Sequence, residues 1–178
     1  MRVAVTGTPG TGKSTATDLL AADSGVDVVH LNRVVETEGL YDSVDEERDS
    51  VVADLDAVAE WVDEYEAALD DEEAVLVLDS HLSHHLDVDR VVVLRCAPQT
   101  LESRLRDRGE SAAKAAENAE SEALDVILSE AVDAHGLAAV YEVETTDRTP
   151  EAVATEIRAV VAGDREPSAG DVNYLDYL

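Results

Sequence analysis

A glycine-rich segment near the amino terminus has the residue types and spacing that bind phosphate. It reads Gly7-Thr-Pro-Gly-Thr-Gly-Lys-Ser14 and lies between the apolar run Val3–Val5 and a helical pattern starting at Thr15. This strand–loop–helix order is the context in which the G-x-x-x-x-G-K-S motif forms a phosphate loop. Its glycines allow backbone N–H groups to converge on phosphate oxygens at a helix N-terminus. Lys13 adds a positive charge near the β- and γ-phosphates, and the Ser14 hydroxyl suits Mg²⁺. The sequence therefore predicts binding of a nucleoside triphosphate with Mg²⁺.

A carboxylate and a histidine follow a second apolar run. Asp79 ends the run Val75–Leu78, and His81 comes two residues later. A carboxylate at the carboxyl end of a central strand beside a phosphate loop typically holds Mg²⁺, often through water. The alternative is a simple turn residue at a strand end. Imidazole titrates near neutrality, so His81 could orient the attacking group or relay a proton.

Two further histidines, His84 and His85, come next. His81 and His85 are four residues apart, which could place both on one helix face as metal ligands. No H-E-x-x-H glutamate and no nearby cysteine accompanies them. The sequence therefore favours packing or surface roles for His84 and His85 over a zinc site.

A basic segment follows Pro98. Arg104 and Arg108 are spaced four residues apart on a predicted helix. Guanidinium groups match phosphate oxygens, and phosphoryl transfer needs cations that neutralise charge as the group moves. The alternative is that these arginines pair with the nearby acids Asp107 and Glu102.

The composition is strongly acidic, with 41 Asp and Glu against 13 Lys and Arg in 178 residues and a formal net charge of −28. The acids are spread over every predicted helix, and lysine appears only twice. This pattern is typical of a halophile's protein, whose acids cover a solvated surface. It disfavours direct sequence-specific binding of nucleic acid.

We expect folding and activity to require concentrated KCl. The Debye length is about 3 Å in molar salt, so repulsion among the surface carboxylates is screened there and not in dilute buffer. Circular dichroism during stepwise removal of KCl should show unfolding. Full stability in dilute buffer would contradict the halophilic interpretation.

Other features predict a cytoplasmic protein. No stretch is apolar and long enough to span a membrane, and the sequence begins on a strand, without the pattern of a signal peptide. The lone cysteine, Cys96, follows the apolar run Val91–Leu94. We interpret it as a small core residue in a reducing compartment rather than a catalytic thiol.

Alternating apolar runs and helical patterns predict a three-layer α/β fold in one domain. The expected strands are Val3–Thr6, Val26–Leu31, Ala74–Leu78, Arg90–Arg95 and Ala138–Val143. Apolar spacing predicts a helix through Leu55–Leu69 and one long acidic helix through Leu124–Ala131. Thr149 and Pro150 predict the start of a last helix, which Gly163 ends. Segments 32–52 and 107–118 are the expected mobile insertions.

Several motifs together resemble the archaeal and nuclear adenylate kinase family, from residue 1 to about residue 162. They are Gly7–Thr15, Leu40-Tyr-Asp with Asp45-Glu-Glu, Asp79-Ser-His81, and Arg108-Gly109 with Lys114, Glu117 and Asn118. Many kinases share the phosphate loop alone. The Asp-x-His pair combined with the Arg-Gly segment is more specific.

The resemblance implies a P-loop NTPase fold with a five-stranded parallel sheet, like that of nucleoside monophosphate kinases. It implies a kinase domain over 1–163, with a monophosphate-binding insertion near 30–53 and a lid near 107–117, and a polar tail over 164–178. The implied reaction is ATP + AMP = 2 ADP. The resemblance also implies an ATPase role in small-ribosomal-subunit (16S rRNA) maturation, through binding of a ribosomal protein and the pre-ribosomal particle.

Site residues implied by the resemblance fall into three groups. Those that would hold the phosphates of ATP are Gly10, Gly12, Lys13, Ser14 and Thr15. Asp79 and His81 would form the Mg²⁺ and catalytic pair, with Ser14 as a second metal ligand. Arg108 would be the lid arginine, acting in both ATP binding and catalysis.

The acceptor side departs from the family. Some members carry an arginine where this chain has Glu36, and Arg33 and Arg48 are the only basic residues of the insertion. One of these two would have to bind the phosphate of AMP. Two alternatives therefore stay open: an ATPase assembly factor with weak kinase turnover, and another small-molecule kinase such as a shikimate or nucleoside kinase. The Asp-x-His pair and the short lid argue against the last.

Overall fold

The structure, a computed structural model, describes residues 1–45, 50–71 and 73–178. The strands are β1 (Arg2–Thr6), β2 (Val26–His30), β3 (Tyr41–Asp45), β4 (Ser50–Ala53), β5 (Val75–Asp79), β6 (Arg90–Arg95) and β7 (Val140–Glu144). The α-helices are α1 (Lys13–Leu20), α2 (Leu31–Glu38), α3 (Leu55–Ala67), α4 (Pro98–Asp107), α5 (Ala112–Ala123), α6 (Val126–His135) and α7 (Pro150–Ala162). Short 3₁₀ turns lie at Ser83–His85, Leu137–Ala139 and Leu175–Tyr177.

A parallel sheet of five strands in the order β2-β5-β1-β6-β7 forms the middle layer. Its strands are the five expected from the sequence, with ends shifted by a residue or two. The register pairs Val5 of β1 with Asp79 of β5. Because the chain leaves β1 toward one side and β5 toward the other, the crevice beyond their carboxyl ends is where such folds bind ligands.

Both faces of the sheet are buried, as the uninterrupted valine-rich strands predict. Val3 and Val5 point to one face and pack with Leu20 of α1 and Ile157 of α7. Ala4 points to the other face, in a cluster with Leu128 of α6. The sheet is thereby fixed between two helical layers, and the three-layer α/β fold is confirmed.

The expectation of one long acidic helix is wrong. The segment forms α5 and α6, and Asp125 between them has a left-handed backbone with φ of 54°. The Asp125 carboxylate accepts a hydrogen bond from the buried guanidinium of Arg95 on β6. This tertiary ion pair holds the break, although the local sequence favours continuous helix.

The segment 30–53, which the resemblance predicts to be an insertion, contains α2 and a two-stranded antiparallel sheet of β3 and β4 that the sequence pattern did not reveal. Val51 and Ala53 pack against the cluster that buries Val35 of α2. Arg48, one of the two candidates for the acceptor phosphate, lies outside the described residues. The mobility of this segment stays a prediction.

The last helix begins and ends as the sequence indicates. The Thr149 hydroxyl accepts a hydrogen bond from the Ala152 N–H at 3.3 Å, Pro150 occupies the first turn, and Gly163 ends the helix. No helix in the described parts of the chain combines the length and apolar character needed to cross a bilayer.

The polar tail after α7 folds back onto the chain's own sheet edge. The Glu142 carboxylate of β7 accepts hydrogen bonds from the backbone N–H groups of Gly170 and Asp171, at 2.6 and 2.8 Å. The Tyr174 hydroxyl donates to Glu144 at 2.9 Å. These contacts attach the tail to the chain's own β7.

Candidate active site at the carboxyl ends of β1 and β5

Two glycines shape the phosphate loop by different means. A Cβ on Gly7 would lie 2.5 Å from the Leu94 carbonyl oxygen, so a side chain there would push the loop away from β6. Gly12 has φ of +94°, immediately precedes α1, and a Cβ there would meet nothing within 4 Å. The helix N-terminus therefore faces open space, and its unpaired N–H groups can bind an anion there.

Lys13 points back into the loop. Its ammonium is buried and donates hydrogen bonds to the carbonyl oxygens of Gly7 and Thr8, at 2.7 and 3.2 Å. Burial lowers the pKa of Lys13 to about 8, and Arg108 adds to this, while Asp79 and Glu122 oppose it. A phosphate entering the loop would give the buried ammonium a negatively charged hydrogen-bond partner in place of neutral carbonyl oxygens.

This pKa predicts that nucleotide binding takes up a proton in mildly alkaline solution. The free protein loses the Lys13 proton as the pH rises through about 8, and a bound polyphosphate would hold that proton. Affinity should therefore fall about tenfold from pH 7 to pH 9. Calorimetry at pH 8.5 in buffers of different ionisation enthalpy measures the uptake directly. An enthalpy independent of the buffer would contradict the assignment.

Asp79 is buried at the end of β5 and is paired with a histidine that sequence reasoning missed. Its Oδ2 lies 2.6 Å from His30 Nδ1 and 3.3 Å from Thr17 Oγ1. His30 Nε2 in turn lies 2.9 Å from Asp18 Oδ1. His30 ends β2 directly opposite Asp79 in the strand register. The order of the strands could have identified His30, because it places the end of β2 beside the end of β5.

His81 lies on the turn after β5 and is partly buried. Burial lowers the pKa of its imidazole to about 4, and the charge of Lys13 adds to the effect. The ring is therefore neutral near pH 7. In this state it can accept one hydrogen bond and donate another, which suits orienting a hydroxyl or phosphate group.

One cavity of about 220 Å³ is lined by all eight residues that the family resemblance implies for ATP, Mg²⁺ and catalysis. Its lining includes Gly10, Gly12, Lys13, Ser14, Thr15, Asp79, His81 and Arg108. His30 and Asn32, at the start of the insertion, complete one wall. These residues come from distant parts of the sequence, so the fold brings one candidate site together.

A second cavity of about 160 Å³ adjoins the first across Gly12 and Arg108. Arg104 and Arg148 also line it. The alternative pairing of Arg104 with Asp107 or Glu102 is wrong, since its guanidinium donates to the carbonyl oxygens of Thr145 and Thr146. Arg108 is exposed between the two cavities, where a chain of phosphates could pass from one to the other.

Glu122 of α5 is a second residue that sequence reasoning missed. One of its carboxylate oxygens accepts a 2.5 Å hydrogen bond from the Thr8 hydroxyl, inside the phosphate loop. The other accepts from Arg95 Nε at 2.7 Å and from the Cys96 N–H at 3.1 Å. Glu122 thus ties the loop to β6. Among the many acids of this sequence it carries no local signal.

The five-stranded parallel sheet and the glycine loop after β1 are the features of a P-loop kinase fold. A shikimate kinase from Bacteroides thetaiotaomicron superposes with a TM-score of 0.60 over 91% of this chain and 98% of that one, at 16% identity. The likeness extends to the fold only. The sheet, the glycine loop after β1 and the flanking helices are those of a nucleoside-monophosphate-kinase-like P-loop protein.

Sequence relatives give the family. A family model described as an AAA domain matches residues 3–125. The chain is 60% identical over 179 residues to a Halobacterium salinarum protein, and 37% identical over 182 residues to one from Methanocaldococcus jannaschii. Each match covers all of this chain and 97% or more of the relative, and both relatives bear the name "Putative adenylate kinase". The chain belongs to this archaeal adenylate kinase family.

Proposed function

We propose that this protein is an adenylate kinase that transfers the γ-phosphoryl group of ATP to AMP with the aid of Mg²⁺. The observation that carries the proposal is the cavity of about 220 Å³ at the ends of β1 and β5. It combines a glycine cradle, a buried lysine, a buried carboxylate and an exposed arginine. The full-length relatives named for this activity support the same conclusion.

The residues present fit ATP and Mg²⁺. The open space at Gly12 admits a phosphate where a side chain would otherwise stand. The Ser14 hydroxyl and the Asp79 carboxylate line the same cavity and offer the oxygen ligands that Mg²⁺ prefers. Bound there, Mg²⁺ would neutralise charge on the β- and γ-phosphates.

Three side chains of the protein would each have a separate role in the transfer. Lys13 would exchange its carbonyl partners for phosphate oxygens and place a fixed positive charge beside the transferring group. Arg108 would fold over the phosphates from the cavity mouth, where its exposed side chain is free to move. His81, neutral at pH 7, would orient the attacking oxygen of the acceptor. No covalent intermediate with the enzyme is needed.

The acceptor would enter from the side of α2. His30 and Asn32 form that wall of the cavity, and Arg33 is exposed on the same helix. We propose Arg33 or Arg48 as the cation for the AMP phosphate. Separate alanine variants of the two should distinguish them, because loss of the true partner raises the KM for AMP more than the KM for ATP.

An acceptor panel tests the function. ATP and Mg²⁺ are supplied with AMP, CMP, UMP, GMP, shikimate or no acceptor, in concentrated KCl, and ADP is quantified by chromatography. We expect AMP to give the fastest transfer, with two ADP formed per AMP consumed. Equal ATP loss with and without AMP would overturn the kinase proposal.

Arg108→Ala is expected to slow transfer by about a hundredfold, because the developing charge loses one mobile cation. Initial rates of ADP formation at saturating ATP and AMP measure the effect. Arg106→Ala is the matched control, since Arg106 is an exposed arginine in the last turn of α4, two residues before Arg108, and lies near Glu102 and outside both cavities. Equal rates in the two variants would show that Arg108 has no part in the transfer and is only a surface residue.

A second function, as an ATPase in ribosome assembly, is favoured by the charge of the chain. With a net charge of −28, its surface would attract a basic ribosomal protein. We propose that hydrolysis would time release of this partner during small-subunit maturation. ATP loss that a basic ribosomal protein stimulates, without AMP, would support this role. An unchanged rate over a range of ribosomal proteins would contradict it.

A further inference from the structure

Four of the five histidines of the chain lie in or beside the turn that follows β5. His81, His84 and His85 follow β5, and His135 ends α6, which packs beside them. His81 faces the cavity described above. The other three make a separate group, for which the proposed kinase reaction has no use.

Three ligand atoms converge in this group. His84 Nε2 lies 3.1 Å from Glu130 Oε2, and His85 Nε2 lies 4.0 Å from the same oxygen. All three ligand atoms lie within 4.8 Å of one another. A tetrahedral zinc ion with bonds of about 2.0 Å holds its ligands roughly 3.3 Å apart. Glu130 and His85 are exposed, so small side-chain rotations would bring the three atoms to that spacing.

The buried histidine of the group is already oriented as a ligand. His84 is 1% exposed, and its Nδ1 lies 3.0 Å from the Thr6 hydroxyl at the end of β1. A hydrogen bond at one ring nitrogen fixes the direction of the other, as in most metal-bound histidines. Here it points Nε2 toward Glu130. The His84 carbonyl also accepts a 2.7 Å hydrogen bond from His135 Nε2, which holds the backbone of the turn against α6.

We propose that His84, His85 and Glu130 bind a divalent transition-metal ion, with Zn²⁺ the best match. Two imidazole nitrogens and one carboxylate oxygen are ligands that Zn²⁺ accepts, with water completing the tetrahedron. The hard ion Mg²⁺ prefers oxygen ligands and would be a poor occupant. The bound metal would join the turn after β5 to α6, and so hold in place the segment that carries His81.

Residue spacing did not predict this arrangement. The pair considered from spacing was His81 with His85, yet His81 lies in the other cavity. The third ligand is 46 residues from His84 along the chain, on a different element. Without a metal, the same atoms could form a plain hydrogen bond from His84 to Glu130, so the experiment must separate these two states.

Calorimetric titration of the full chain with Zn²⁺, without nucleotide and in a buffer of concentrated KCl and excess Mg²⁺, tests the proposal. Excess Mg²⁺ competes for oxygen-ligand sites such as Asp79. We expect one equivalent of Zn²⁺ to bind and to raise the unfolding temperature of the protein. Co²⁺ in place of Zn²⁺ should give the intense visible absorption of a tetrahedral site.

Exposed ligands make the best variants, because their loss should leave the fold intact. His85→Ala and Glu130→Gln should each weaken Zn²⁺ binding at least tenfold and abolish the thermal shift. Asp133→Asn, an exposed carboxylate on the same helix outside the cluster, should bind like the wild type. Wild-type binding no tighter than that of His85→Ala, or a Co²⁺ spectrum of octahedral type, would overturn the proposal.

Discussion

Lys13→Met is expected to lower the rate of ADP formation about a thousandfold without lowering the unfolding temperature. The activity falls because a preorganised charge beside the transferring phosphoryl group is lost, an effect of about 10²–10³ for a single group. Stability is retained because the ammonium is buried and burial lowers its pKa to about 8, so the folded protein holds this charge at a cost. Methionine fills a similar volume without a charge.

Two measurements on the same sample check this prediction. Initial rates of ADP formation report the chemistry, and thermal unfolding in concentrated KCl without nucleotide reports the fold. A variant that lost activity only because it unfolded would show a lower unfolding temperature. Retained turnover in a folded variant would show that the loop is not the active site.

Asp79→Asn is expected to reduce turnover about a hundredfold and to raise the Mg²⁺ concentration needed for half-maximal rate. The amide keeps the shape of the side chain but removes the charge that would hold the ion, directly or through water. The ATP concentration needed for half-maximal rate should change less, because Lys13 and the loop N–H groups remain. A Mg²⁺ titration of the initial rate measures the shift.

Asp18→Asn is the matched control. Asp18 shares His30 with Asp79, through the other ring nitrogen, but does not line the cavity. Its loss should leave the Mg²⁺ dependence nearly unchanged. If both variants behaved alike, the effect would belong to the orientation of His30, and the metal role of Asp79 would be wrong.

Local patterns in the sequence were enough to predict the parallel sheet and the residues of the candidate site that follow the carboxyl ends of its strands. The glycine loop after β1 and the carboxylate after β5 each follow an apolar run. Because carboxyl ends of neighbouring parallel strands meet at one edge, such residues fall together once the strands are adjacent. This rule explains how residues as distant as Gly12 and Asp79 line one cavity.

Contacts between distant elements could not be predicted. The buried guanidinium of Arg95 binds Glu122 and Asp125, and it also binds Glu142 of β7. This network breaks the expected long helix and holds the phosphate loop through Glu122. Glu142 also binds the tail. In so acidic a chain, nothing local distinguishes these three carboxylates from those that only cover the surface.

Calorimetric titration of the folded wild-type chain with Mg·ATP, in concentrated KCl at pH 7, tests most directly whether the cavity binds a nucleotide. The glycine cradle and Lys13 predict saturable binding of one nucleotide, weakened severalfold or more in Lys13→Met. No heat of binding to the folded wild type with either ATP or ADP, or equal affinity in the variant, would show that this cavity does not bind the polyphosphate.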